Sequence, residues 1–169
     1  ETPNEAGLAE CNKMQNQDRD LVASVKKLQN HGFEVQGGFI VGFDSDPVSI
    51  FRSQINFIQK SGIVTAMVGL LNAPRGTRLY QRLKKENRLL GDFAGDNTDC
   101  SINFIPKMQP ATLLNGYKHI LDTIYSPRQY YERVRTFLKE YKPRKGKRIS
   151  ELRFYHITAF IKVTWFLGI

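Results

Sequence analysis

Gln36-Gly37-Gly38-Phe39-Ile40-Val41-Gly42-Phe43-Asp44-Ser45-Asp46 is the stretch whose reading decides the fold. The apolar run Phe39 to Val41 leads into a glycine-containing turn and then a helix. Such a run suits a strand covered on both faces, as in a parallel sheet. Gly37, Gly38 and Gly42 lack a Cβ, so another group can come close to the backbone along the strand and at its C-terminal end. Asp46 is placed to cap the next helix, with Pro47, whose φ is already set, at the first helical position. Ligands of parallel α/β folds sit at the C-terminal ends of strands, which puts Asp44 and Ser45 at the mouth of a site. A tight strand-to-helix turn with no ligand would carry the same residues.

Outward from this stretch, a helix from about Pro47 to Ser61 turns Phe51, Ile55 and Ile58 inward, and Gly62 ends it. A second apolar run, Val64 to Leu71, completes a βαβ unit with two parallel strands and a right-handed crossover. Upstream, Leu21, Val22, Val25 and Leu28 share one helical face, Gly32 is the stop, and Lys26, Lys27 and Gln29 face water. Two strands do not make a well-covered parallel sheet, so further strands are expected from residues upstream of Glu1.

Downstream, Pro74 and Gly76 mark a turn. Thr77 caps a helix with Leu79, Leu83 and Leu90 inward and Lys84, Lys85, Glu86 and Arg88 outside. Residues 91–103 read as a long loop. Leu113, Leu114, Tyr117, Ile120, Leu121 and Ile124 then repeat at helical spacing. Tyr130, Tyr131, Val134, Phe137, Leu138 and Tyr141 follow at the same offsets, with Ser126 as cap and Pro127 as first helical residue between the two sets. This is a helical hairpin. Residues 142–147 form a basic linker. Residues 149–169 read as a final helix, apolar from Phe154 onward but interrupted by His156 and Lys162, and too short to span a bilayer. It is expected to pack on the core, with an interfacial position as the alternative.

The 169 residues, 41% hydrophobic and 24% charged, fit one domain with an appendage. The formal charge is +9, and between Arg128 and Arg153 ten Lys or Arg face three Glu. A basic cluster raises nucleic acid or an anionic surface as partner. No stacking pattern or nucleic-acid motif accompanies it, so it reads first as a solvated helix face and linker. Cys11 and Cys100 are far apart and read as spectator thiols, which fits a reducing, cytoplasmic compartment. His31, His119 and His156 are scattered, and no Walker loop, Cys-x-x-Cys, His-Glu-x-x-His or nucleophile elbow is present. The chain begins at Glu1 without methionine and ends inside an apolar run, as if cut from something longer.

Several words in order resemble the C-terminal half of radical SAM enzymes, and more narrowly the cobalamin-binding ones with a C-terminal domain of uncharacterised function. They are Glu1-Thr2-Pro3-Asn4-Glu5, Gly37 to Asp44, Leu71 to Tyr80, Asn103-Phe104-Ile105-Pro106-Lys107-Met108, and Tyr125-Ser126-Pro127-Arg128 with Tyr130-Tyr131-Glu132-Arg133. The resemblance covers nearly the whole chain. It implies an α/β fold: a partial radical-SAM (β/α) barrel over residues 1–90, contributing the last strands and helices, then a mostly helical C-terminal domain over 91–169. Glu1 would stand at the end of the fourth barrel strand, Gly38 to Gly42 on the fifth and Val64 to Leu71 on the sixth. It further implies S-adenosylmethionine across the strand ends. Gly38, Ile40 and Gly42 would line the adenine, Leu71 and Asn72 would close the pocket, and Glu1 would lie near the polar end of cofactor or substrate.

The three-cysteine motif of the family, Cys-x-x-x-Cys-x-x-Cys, is absent, and two distant cysteines cannot hold a [4Fe–4S] cluster. The cobalamin domain is absent as well. The resemblance therefore implies a fragment, inactive alone, of an enzyme that methylates or rearranges an unactivated carbon. The iron–sulfur cluster and cobalamin of that enzyme are bound elsewhere, and no metal ligand is expected in this chain. The expected partner is a small or lipid-like substrate, with peripheral membrane contact through 149–169; nucleic acid is not expected. Two other readings stay open: a radical SAM methylthiotransferase-like protein acting on RNA, and a non-catalytic basic α/β binding module.

Overall fold

The computed structural model describes residues 2–92, 95, 100–143 and 153–167. Glu1, part of the 91–103 loop, most of the basic linker and the last two residues lie outside them. The described chain is mixed α/β, mostly helical, around a small parallel sheet. Strands β1 (Gly37–Val41) and β2 (Ala66–Leu70) pair in parallel, with Gly37 opposite Ala66 and Val41 opposite Leu70. Paired residues share a face. Phe39, Val41, Ala66, Val68 and Leu70 turn to one side and are buried.

Helix α3 (Ile50–Ser61) and helix α5 (Pro110–Ile124) pack on that side. Each fully buried Ile or Leu there contributes about 1.5–3 kcal/mol over exposure. On the other face Gly38 is open, Ile40 and Gly69 are half-buried and Met67 is 64% exposed. The strand was expected to be covered on both faces. Among the described residues both large helices of the core lie on one side, and on the other only Ile40, at the strand end, packs against a second cluster that includes Leu83.

The α3 stripe forms as its spacing predicts, and Gly62 ends it in the left-handed region at φ 69°. A Cβ at Gly62 would lie 2.9 Å from the backbone nitrogen of Phe137, so this position also sets how closely the next helices approach. The start of α3 differs from expectation. Asp46 does not cap it. The helix begins three residues beyond Pro47, after Ser49, which makes no side-chain capping bond. The Asp46 carboxylate instead folds back onto the N–H groups of Gly42 and Phe43, nearer donors than the helix end.

Helix α2 (Leu21–Asn30) is capped by Asp20, whose carboxylate accepts from the Ala23 N–H at 2.8 Å. Its packed face is rotated from the expected one. Leu28 is 47% exposed, whereas Gln29, expected in water, is fully buried. The cause lies in α3: its last carbonyls need donors, and Gln29 Nε2 donates to Ser61 O at 3.0 Å. Helix α4 (Arg78–Lys85) has the Thr77 cap, with Tyr80 N–H bonded to Oγ1. Leu83 is buried, but Leu90 lies past the helix and is 66% exposed, because Asn87 at φ 54° redirects the chain. Leu89 and Phe104 then form an antiparallel bridge that closes the base of the 91–103 loop.

Helices α5 and α6 (Pro127–Glu140) each begin at a proline; Pro127 was read so from the sequence, Pro110 was not. The α5 stripe of Leu113, Tyr117, Ile120 and Ile124 is buried. The α6 stripe is shallower: Tyr131 and Leu138 are exposed, and the wholly buried residue of α6 is Arg133. Its guanidinium donates to Ile124 O at 2.6 Å, to Gln59 Oε1 at 2.8 Å and to Val64 O at 3.2 Å. It also lies over the rings of Tyr125 and Tyr130 at 5.5 and 5.3 Å. The final helix, α7 (Phe154–Leu167), was expected to pack on the core. Its large apolar side chains from Phe154 to Phe166 are exposed instead, with Phe154, Phe160, Trp165 and Phe166 at 73–87%. Among the described residues no helix is long and apolar enough to cross a membrane.

Candidate functional site

Both strands point their C-terminal ends the same way, so the segments that follow, Gly42–Asp46 and Leu71–Thr77, meet above the sheet. Gly42 makes the first turn possible at φ 108°, a conformation costly for any side-chain-bearing residue. Its N–H and that of Phe43 converge on the Asp46 carboxylate at 2.9 and 3.1 Å. Asn4 adds a third donor at 3.1 Å and also donates to Ser45 O. Burial pushes the Asp46 carboxyl up from its ordinary value, against the lowering by these donors. Asn4 is in turn the N-cap of helix α1 (Glu5–Glu10), accepting from Ala6 N–H, so one side chain holds α1 against the β1 turn.

At its other end α1 presents Glu10. Its carboxylate accepts from the N–H and Oγ of Ser45 at 3.1 and 2.9 Å and from Arg82 at 2.9 Å. Arg82 continues to Asp44 at 2.6 Å, and Arg88 makes two bonds to the same carboxylate at 2.6 and 2.8 Å. Asp44, with its side chain 7% exposed, is therefore held well below the usual carboxylate range, at about 2. The Arg88 hydrogen bond is the largest cause, and Arg82 adds to it against the opposing effect of burial. Arg88 is pushed further up by the same contact. Arg88 was expected on the watery side of an amphipathic helix. It lies beyond α4 and is 15% exposed, because the turn after Lys85 folds it back over Asp44.

Between α1, α4 and the strand ends lies a pocket of about 530 Å³. Ile40, Phe43, Leu71 and Leu79 make an apolar floor; Glu10, Cys11, Lys13, Arg78 and Arg82 make a largely polar rim. Of the residues singled out from sequence, Ile40 and Leu71 line this pocket. Gly38 lies two residues back on the same sheet face, where a Cβ would meet nothing within 4 Å; the same holds for Gly69, the partner of Ile40. Gly42 faces Leu113 and Leu71, so its place is in the turn. Asn72 is engaged with the loop: its Oδ1 accepts from Asn103 N–H at 3.0 Å and its Nδ2 donates to Ser101 O at 3.2 Å. Glu1 lies outside the described residues.

Asp44 and Ser45, expected at the mouth, form its supporting wall. Glu10, Arg82 and Gly69 escaped the sequence reading. Gly69 had a signal, an isolated glycine in an apolar strand. Glu10 and Arg82 had none, because charged residues on helices read as solvent-facing until a partner is placed.

The arrangement offers a flat, glycine-lightened sheet face leading to an apolar pocket with a polar rim. A planar heterocycle fits such a face. Among the described residues no group of three or more His, Cys, Asp or Glu could hold a metal ion. Cys11 is half-buried near the pocket and Cys100 is exposed on the loop.

A two-strand parallel sheet with its ligand-facing ends on one side and a helical hairpin behind it defines a class, an α/β domain with a strand-end site. Comparison with known proteins narrows it. Residues 77–169 match the domain of unknown function DUF4070, and the chain belongs to that family, the C-terminal domain of cobalamin-binding radical SAM enzymes. The whole chain is 32% identical to the uncharacterized methyltransferase sll1242 of Synechocystis sp., covering 32% of that protein. It is 26% identical, again over its whole length, to 32% of the hopanoid C-2 methylase of Rhodopseudomonas palustris. A shorter match, 32% identical over 81 residues, covers 48% of the chain and 18% of the bacteriochlorophyllide d C-12(1)-methyltransferase of Chlorobaculum tepidum. The chain thus spans about a third of the length of the first two relatives. No solved structure matches it significantly.

Proposed function

We propose that this chain forms the cofactor-facing end of a barrel in a radical SAM methyltransferase that acts on an unactivated carbon with the help of cobalamin. Residues 1–90 supply the last two strands of the barrel and 91–169 a helical extension. The reading is supported by three named methyltransferases among the relatives and by one structural observation, the open face of Gly38, Ile40 and Gly69 running into the strand-end pocket. S-adenosylmethionine fits that face, since its purine needs a flat bed with no Cβ in the way; bound in the longer enzyme, it would supply the radical that takes hydrogen from the unactivated carbon. Gly38 and Gly69 give it room, Ile40 and Leu71 give apolar contact, and the ion pairs of Glu10, Arg82 and Asp44 keep the pocket wall in place.

The described residues do not fit an iron–sulfur cluster. Two cysteines in different parts of the fold supply fewer thiolates than a cluster needs. The cluster ligands and the cobalamin site therefore belong to other parts of a longer polypeptide, and this chain alone is inactive. The substrate class is small-molecule or lipid-like.

The test is titration of the isotope-labelled chain with S-adenosylhomocysteine, followed by amide resonances. Shifts are expected at Gly38, Ile40 and Gly69. A Cβ at Gly38 meets nothing within 4 Å, so Gly38→Val narrows the open face. It is expected to weaken binding at least about ten-fold, the loss of roughly 1.4 kcal/mol, with an unchanged melting temperature. Shifts confined to other residues, or unaltered binding by Gly38→Val, would remove the proposal.

A further inference from the structure

We infer that α7 is a membrane-seating helix that inserts into an anionic phospholipid bilayer. Four observations carry the inference, and none depends on the pocket at the strand ends. First, eight large side chains of α7, from Phe154 to Phe166, are 49–87% exposed. Folded proteins seldom leave so much contiguous apolar surface in water.

Second, the apolar side chains go round the helix. At 100° per residue Phe154, Ile161 and Trp165 fall on one side, Tyr155 and Phe166 on a second, and Phe160 and Val163 opposite the first. A protein groove covers one face of a helix; a helix apolar on every side is enclosed either by a large protein core or by lipid, and the charges that precede it favour lipid.

Third, its two threonine hydroxyls are already satisfied within the helix, and one nitrogen of His156 is satisfied at its start. Thr158 Oγ1 donates to Tyr155 O at 2.9 Å and Thr164 Oγ1 to Phe160 O at 2.8 Å. His156 Nδ1 accepts from the Arg153 N–H at 3.1 Å. Neither hydroxyl brings an unmet hydrogen bond into hydrocarbon, where each would cost several kcal/mol. Lys162 remains, and its long stem lets the ammonium reach the headgroups.

Fourth, the sequence that leads into α7, Lys142 to Arg153, carries six Lys or Arg and one Glu. Cations close in sequence to an apolar helix favour a surface with negative headgroups. The fourteen described residues of α7 reach about 21 Å, against a hydrocarbon core of about 30 Å. Aromatic residues at both ends, Phe154 and Tyr155 at one and Trp165 and Phe166 at the other, suit a tilted seat in the interface.

Trp165 is the single tryptophan of the chain and reports directly on this helix. The chain is mixed at 0.1 M salt with vesicles of phosphatidylcholine alone and with vesicles containing about a third phosphatidylglycerol. With the anionic vesicles the emission is expected to move to shorter wavelength and to be quenched by brominated acyl chains. Binding to neutral vesicles is expected to be at least ten-fold weaker. Ile161→Asp, on an exposed position, is expected to lower partitioning at least ten-fold with an unchanged circular dichroism spectrum. Emission unmoved by either vesicle would overturn the inference. So would a blue shift that depends on protein concentration without lipid, since that would make a second copy the occupant. Equal binding of the Ile161→Asp variant would overturn it as well.

Discussion

Arg133 is wholly buried, and among the described residues no carboxylate pairs with it. Burial lowers its pKa from the ordinary value, the rings of Tyr125 and Tyr130 oppose that, and carbonyl dipoles from the end of α5 and the approach to β2 hold the charge. Arg133→Met removes the charge but strands Ile124 O and Val64 O, so a loss of about 3 kcal/mol is expected, read from the urea midpoint. Arg133→Lys is expected to be only partly tolerated, since one ammonium cannot copy the planar fork.

Asp44 makes the pH prediction. Its folded pKa, about 2, is below its unfolded value near 3.8. Its contribution to stability is thus complete above about pH 4 and is lost as pH falls through about 2. With allowance for solvent screening it is worth on the order of 1–2 kcal/mol. Asp44→Asn is expected to lower the urea midpoint at pH 6 and to flatten the fall of stability between pH 4 and 2. An unchanged acid slope would show that Arg82 and Arg88 do not hold the carboxylate. The sequence displayed Asp44 as notable through its place after a strand, but its arginines come from 38 and 44 residues away. That pairing is a property of the folded chain.

At the scale of elements, α5 and α3 are pressed together at Gly116. A Cβ there would lie 2.3 Å from the ring of Phe51, which is 6% exposed. Alanine would favour the helix by about 1 kcal/mol, whereas overpacking costs about 1–3 kcal/mol. The ring has little room to move, so Gly116→Ala is expected to lower the melting temperature despite its better propensity. The periodic stripes of α3 and α5 were readable because each helix meets the core over a broad face. The face of α2 was misread by one position: Gln29 is drawn inward by the carbonyls that end α3, a demand no count of apolar residues reveals.

At the scale of the molecule, stability is uneven. Residues of β1, β2, α3 and α5 share one apolar core, and Phe43, Leu71, Ala73, Leu83 and Phe104 form a second beneath the pocket. Asn103 ties the loop to this second core, accepting from Ala73 N–H at 2.8 Å and donating to Ala73 O at 2.9 Å. Among the described residues α7 is hydrogen-bonded only within itself and to Arg153, and a lone helix of this length is marginal in water. Amide exchange is therefore expected to be slowest at Val41, Val68, Ile58 and Ile120 and at least about a hundred-fold faster along α7. Equal protection of α7 would mean that it is packed rather than exposed.

The sequence by itself determined the parallel βαβ unit, the glycine terminus of α3, the proline start of α6 and the family. These rest on near neighbours in the chain, whose spacing and backbone limits are written in the residues themselves. Tertiary structure alone decided which sheet face stays open, which charges meet at Asp44, why Gln29 and Arg133 go inside and why α7 does not. Each depends on groups brought together from distant positions, where the need to satisfy a buried carbonyl or charge outweighs local pattern.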